Sequence, residues 1–295
     1  MSVVEKKSNV NESSMLRQAV LNTSTPLEIF RESVSNSVDA GAGDINIKLT
    51  DTGGGVYDIE MLDDGNGMTE KHLDAFFQAG YSVKDFTSKL NTNNKTTLSI
   101  GEKGLGSKTT WVAKKIEVQS IRKDSNEKIR GIMDDPMEQL NDGKIPVYSV
   151  ETDPKNNFDQ TQPGTRIKLT QVRIPKFLDK DCAGDSEMIA NRVMHYLRSY
   201  CATGTVKNRF AQKKHIKQSV VNLAQIPDIT LEVSKEGQTP HILGPESGCY
   251  DIPEENTSPT DGPKHETGVI ENSKIFCDLG DISREKSLTV DGVTT

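Results

Sequence analysis

The sequence predicts an α/β fold, and three observations carry that expectation. Residues 26–40 place Leu27, Phe30, Val34 and Val38 three and four apart, the spacing of one helix face. Residues 44–62 alternate apolar and polar on either side of Thr52-Gly-Gly-Gly55, which is the pattern of a β-hairpin. Further strand-like runs follow near 115–122, 129–133, 147–151 and 165–170.

Taken in order, residues 1–10 are polar and are expected to be disordered. Met15, Leu16, Val20 and Leu21 suggest a short amphipathic helix from Asn11 to Leu21. Thr23-Ser-Thr-Pro26 then offers hydroxyl caps and a first-turn proline, with Glu28 three residues after Thr25. The helix it opens should run to Ala40 and stop at Gly41 and Gly43. After the hairpin, Thr69 caps a helix reaching Phe77. Residues 79–100 are polar without a sustained period, and a loop that long is usually functional or mobile.

Ser107 to Ala113 should be helical, and Pro163-Gly164 introduces the strand near 165–170. Glu187 to Cys201 reads as an amphipathic helix with Ile189, Val193, Tyr196 and Leu197 inward. Ile229 to Val233 is a short strand, and residues 236–268 have the composition of a surface loop or linker. One or two strands are expected from 274–279 and 287–293. The chain then ends without a closing element, as a fragment of a longer protein would.

Composition narrows the class. The chain has 295 residues, 33% hydrophobic and 27% charged, with a mean hydropathy of −0.58. No apolar run approaches the roughly 20 residues of a membrane helix, and no signal-like apolar segment opens the chain. A cytoplasmic protein is the expectation. A net charge of −7 argues against wholesale coating of nucleic acid, though not against a local basic patch. Cys182, Cys201, Cys249 and Cys277 have no CxxC spacing, so neither a zinc site nor a disulfide framework is expected.

Four motifs carry chemistry. On the helix over 26–40, Glu32, Asn36 and Asp39 share one face, as a catalytic stripe or as a solvated one. Asp63-x-Gly65-x-Gly67 follows the second hairpin strand, where an aspartate-glycine turn alone would mean little. Gly101-x-x-Gly104-x-Gly106 offers free backbone N–H groups ahead of a helix start, a good anion cradle. Gly164-Thr165 comes last.

In this order the motifs resemble those of the GHKL superfamily, which unites gyrase B, a heat-shock chaperone, sensor histidine kinases, MutL and the MORC proteins. The resemblance spans Pro26 to Leu169. It implies the two-layer α/β sandwich of the GHKL (Bergerat) type: a mixed sheet with helices on one face and an ATP lid, here residues 79–100. Residues 11–204 would form the ATP-binding domain. Residues 205–295 would be an extension, partly loop, or the start of a further domain.

Carried over residue by residue, the resemblance implies ATP and Mg2+ as ligands. Asn36 would hold the metal, and Glu32 would act as general base on water. Asp63 would accept a hydrogen bond from the adenine amino group. Gly65 and Gly67 would bring the backbone close through positive φ, Met68 would pack on the purine, and Thr165 would bond adenine. Asp39 would support the water network there, or the loop. Gly101, Gly104, Leu105, Gly106 and Ser107 would cradle phosphate, while Lys103 and Lys108 either pair with it or lie in solvent.

No histidine precedes the domain in a phospho-accepting context, and Glu32 favours hydrolysis over a kinase reaction. The loop spacing is nearest to MORC-like or chaperone-like ATPases. The function expected is an ATP-driven switch in which the lid closes, two protomers clamp together, and a protein partner or downstream domain reads the state. Alternatives are an interaction module that binds nucleotide with little turnover, or a DNA-associated ATPase. For the last, Lys207, Arg209, Lys213, Lys214 and Lys217 are a nucleic-acid surface or a solvated basic face.

Overall fold

A computed structural model describes residues 11–22, 25–79, 106–174, 185–201, 227–245, 289–290 and 293–294. The helices are α1 (Glu12–Leu21), α2 (Glu28–Asp39), α3 (Glu70–Phe77), α4 (Pro136–Asn141) and α5 (Ser186–Tyr200), with a 3-10 helix at Gly106–Val112. The strands are β1 (Asp44–Gly53), β2 (Val56–Asp63), β3 (Lys115–Ile121), β4 (Lys128–Asp134), β5 (Ser149–Thr152), β6 (Gly164–Arg173), β7 (Asp228–Lys235) and β8 (His241–Leu243). A two-stranded pair is formed by β9 (Thr289–Val290) and β10 (Val293–Thr294).

The eight strands β1 to β8 form one sheet in the order β5-β4-β3-β6-β2-β1-β7-β8. All neighbours are antiparallel except β1 and β7, which run parallel with Asp44 opposite Asp228. The sheet is therefore mixed, with helices packed on it, as expected. It does not end at residue 204, however, because β7 and β8 extend it beyond β1.

Alternation along β1 sorts the two faces. Ile45, Ile47 and Leu49 are buried, whereas Asp44, Asn46 and Lys48 are exposed. Leu27 and, on α2, Phe30 and Val34 join the core with Ile189, Val193 and Leu197 of α5. Trp111 of the 3-10 helix and Leu73 and Phe77 of α3 complete it. Each such side chain is worth roughly 1.5–3 kcal/mol when withdrawn from water. The opposite face carries charge pairs instead: Lys48 with Glu232 at 3.4 Å, Arg166 with Glu60 at 2.9 Å, and Arg130 with Glu117 at 3.0 Å.

The start of α2 differs from the expected cap. Its N-cap is Leu27 with no side-chain bond, while Thr25 Oγ1 accepts from the Leu27 N–H at 3.3 Å. Glu28 does not fold back to a cap, because its carboxylate is taken by Arg31 and the Tyr196 hydroxyl. The end of α2 is as expected. Gly41, at φ +75°, lets its own N–H reach the Val38 carbonyl and that of Ala42 reach Ser37.

The expected N-terminal disorder, the lid, Gly101, Lys103, Gly104, Leu105, the basic run over 207–217, and Cys182, Cys249 and Cys277 all lie outside the described residues. Cys201 is a buried free thiol, pushed up to about 12 by burial. Among the described residues no helix is long and apolar enough to cross a membrane.

Candidate functional site

The site begins with strand register. Asp63 at the end of β2 pairs with Thr165 of β6, and Thr165 pairs with Ser120 of β3. Three adjacent strands thus set a carboxylate and two hydroxyls in one row, all buried. Helix α2 adds Ser37, whose Oγ donates to Asp63 Oδ2 at 2.9 Å. Asp63 Oδ1 accepts from the N–H groups of Gly65 at 2.9 Å and Thr165 at 3.2 Å.

Burial raises the Asp63 pKa from its ordinary value. The bonds from Gly65, Ser37 and Thr165 pull the other way, because they favour the charged form. Ser120 ties the row to the glycine loop. Its Oγ accepts from the Met68 N–H at 2.7 Å and donates to the Gly164 carbonyl at 2.9 Å. Met68 is half-buried and packs against the core.

The glycines have distinct reasons. Gly67 sits at φ +73°, and a Cβ there would lie 2.2 Å from the Ile121 carbonyl oxygen. Gly65 departs from expectation, since it is absent from the positive-φ residues. What it supplies is room: a Cβ would meet Ala40 Cβ and Asp63 Oδ1, each at 3.0 Å. Close packing of the loop on the end of α2, and not a left-handed backbone, selects glycine at that position.

At the other end of the stripe, Glu32 and Asn36 are half-buried one turn apart on α2, with Asp39 beyond them. Arg31 bridges two acids, bonding Glu28 Oε2 through Nε at 2.7 Å and Glu32 Oε1 through Nη2. Burial works against the Arg31 charge, but Glu28 and Glu32 together raise its pKa. A Cβ on Gly106 would lie 1.8 Å from Glu32 Oε2. The last glycine of the loop motif therefore abuts the Glu32 carboxylate.

Lys108 lies elsewhere than a phosphate ligand would. Its side chain is buried, and Nζ donates to the Ala75 carbonyl at 3.2 Å, the Phe76 carbonyl at 2.7 Å and Ser107 Oγ at 2.7 Å. Ser107 Oγ in turn donates to the Phe76 carbonyl at 2.9 Å. Both side chains fasten the 3-10 helix to the C-terminal end of α3, whose carbonyls favour a cation. Burial lowers the lysine pKa to about 7.

Sequence reading missed Ser37 and Ser120. Each had a signal. Ser37 shares the buried side of α2 with Phe30 and Val34, where an apolar residue is the norm, and Ser120 occupies an inward strand position beside Ile116 and Val118.

Residues 25–165 match the family model described as histidine kinase-, DNA gyrase B-, and HSP90-like ATPase. This part of the chain is a GHKL-type ATPase domain, and membership supports ATP binding. No curated protein matches the chain.

Proposed function

We propose that the chain is a Mg2+-dependent ATPase that works as a molecular switch. Asp63 accepts the adenine amino group, with Thr165, Gly67 and Met68 around the base. Asn36 would supply an oxygen to the metal, the kind of donor a hard cation prefers. Among the described residues no three His, Cys, Asp or Glu side chains gather into a metal cage, which fits a metal held largely by its nucleotide. Mg2+ supplies neutralisation of phosphate charge. Glu32 orients a water and takes its proton, and phosphoryl transfer asks little more of a protein than such positioning and charge stabilisation.

One observation carries hydrolysis over mere binding. The Glu32 carboxylate faces the Gly106 backbone, at the point where the glycine-rich loop meets the 3-10 helix. A base candidate beside the last glycine of that loop supports a reading in which it serves a phosphate bound there. Lys108, directed at α3, fastens the 3-10 helix that follows the loop.

A phosphate-release assay on the wild type and on Glu32→Ala tests this reading. Release should fall by about a hundredfold or more in the variant. Equal background rates in both would leave a binding module without turnover. Lid closure and ATP-driven pairing of two protomers belong to the same proposal, as does a partner or downstream domain that reads the closed state. Sedimentation with a non-hydrolysable ATP analogue should show a dimer, and an unchanged monomer would remove the clamp.

A further inference from the structure

A chain of side chains ties Glu32 to helix α5, which lies beyond the residues that match the family model. On α2, Glu28, Arg31 and Glu32 stand three and four apart and so share one face. On α5, Ile189, Val193 and Tyr196 have the same spacing and are buried together. The Tyr196 ring belongs to the core, while its hydroxyl reaches α2 and donates to Glu28 Oε1 at 2.7 Å. Burial, and then the Glu28 carboxylate, push the Tyr196 pKa up, so the hydroxyl keeps its proton and stays a donor.

Each carboxylate in the chain divides its two oxygens. Glu28 offers Oε1 to Tyr196 and Oε2 to Arg31 Nε, the latter at 2.7 Å. Arg31 carries the link onward through Nη2 to Glu32 Oε1. Glu32 Oε2 then points to the glycine loop, where a Cβ on Gly106 would lie 1.8 Å from it. The oxygen nearest the proposed chemistry is thus the one that Arg31 does not hold.

Residue type suits each link. A guanidinium is a planar fork whose separate nitrogens can hold two acids at once, which a lysine ammonium does less well. Tyrosine combines a core-filling ring with one polar tip. Tyr196 is buried, and Glu28, Arg31 and Glu32 are half-buried. Hydrogen bonds in series in such surroundings strengthen one another.

We propose that Tyr196 is a positioning residue for ATP hydrolysis: acting through Glu28 and Arg31, it keeps Glu32 Oε2 aimed at the glycine loop. The inference rests on the reading of Glu32 as the general base. The link runs through long side chains, so it biases the carboxylate toward one orientation and still lets it adjust. It gives α5 a part in turnover, although that helix lies outside the matched span.

The test is steady-state phosphate release by the whole chain with Mg2+ and ATP, for the wild type, Tyr196→Phe, Arg31→Ala and the double variant. Phenylalanine keeps the ring in the core and removes only the hydroxyl. In Tyr196→Phe, kcat should fall about three- to tenfold, the rate equivalent of one ordinary hydrogen bond, with KM for ATP unchanged. Arg31→Ala should fall further, and adding Tyr196→Phe to it should cost nothing more, because the link is already cut. Tyr200→Phe removes an exposed hydroxyl from the neighbouring ring, whose centroid is 4.6 Å away, and should leave kcat at the wild-type value. With Glu32→Ala inactive, three results would each overturn the inference alone: wild-type kcat in Tyr196→Phe, an equal fall in Tyr200→Phe, or additive losses in the double variant. Wild-type release no higher than that of Glu32→Ala would instead sink the reading of Glu32, and the inference with it.

Discussion

Asp63, at the end of β2 and bonded to Ser37 of α2, and Glu32, on α2 itself, have different surroundings. Asp63 is 8% exposed and accepts hydrogen bonds from three elements: the glycine loop, β6 and α2. Glu32 is half-buried, bonds its sequence neighbour Arg31, and abuts Gly106. The base end is prebuilt by strand register and needs no ligand to hold its shape. At the phosphate end the carboxylate sits on a flexible side chain that can swing. In the proposed function, recognition is thus lodged in the rigid part of the fold, and chemistry at a place free to adjust.

Glycine substitutions at the two ends should break this comparison if it is wrong. Gly67→Ala combines a positive φ with a clash against backbone, so a loss on the order of 3 kcal/mol in stability is expected by denaturant unfolding. Gly106→Ala clashes only with the tip of Glu32, which can move. Its unfolding midpoint should stay near wild type while phosphate release falls by roughly a hundredfold. Equal loss of stability at both positions would erase the distinction.

Smaller effects sharpen it. Ser120→Ala strips the Met68 N–H of its acceptor and leaves that buried row incomplete, at a cost of about 1–3 kcal/mol. Thermal unfolding of that variant measures the rigidity assigned to the base end. Lys108 adds a test that is read through pH. Its folded pKa is lowered to about 7 from 10.5, so above pH 7 the unfolded chain holds the proton that the folded chain releases. Stability should therefore rise with pH between about 7 and 10.5 and then level off, and Lys108→Met should flatten that slope in denaturant midpoints.

Much of this was legible locally. The α2 stripe, the hairpin and the four motifs depend on spacing within a few residues. The β7 pairing was not legible in this way. It joins residues 44–51 to 228–235 in parallel, and no local pattern specifies a partner so distant. Helix α4 was missed because it is six residues long and follows Asp135 at φ +46°, an unusual entry for a helix. Lys108 was misleading for a related reason: its place beside a phosphate motif suggested an anion, while the fold brings the carbonyls of α3 to it.

Calorimetry on Asp63→Asn tests the central claim most directly. The amide oxygen can keep the Gly65 and Thr165 bonds, leaving its NH2 toward Ser37 and the purine, where a donor would meet the adenine amino group. With Mg2+ and ATP the wild type should release binding heat and the variant none, while the variant melts no lower than wild type because a buried charge is gone. A variant that binds ATP with undiminished heat and affinity, or a wild type that shows no heat, would contradict the account.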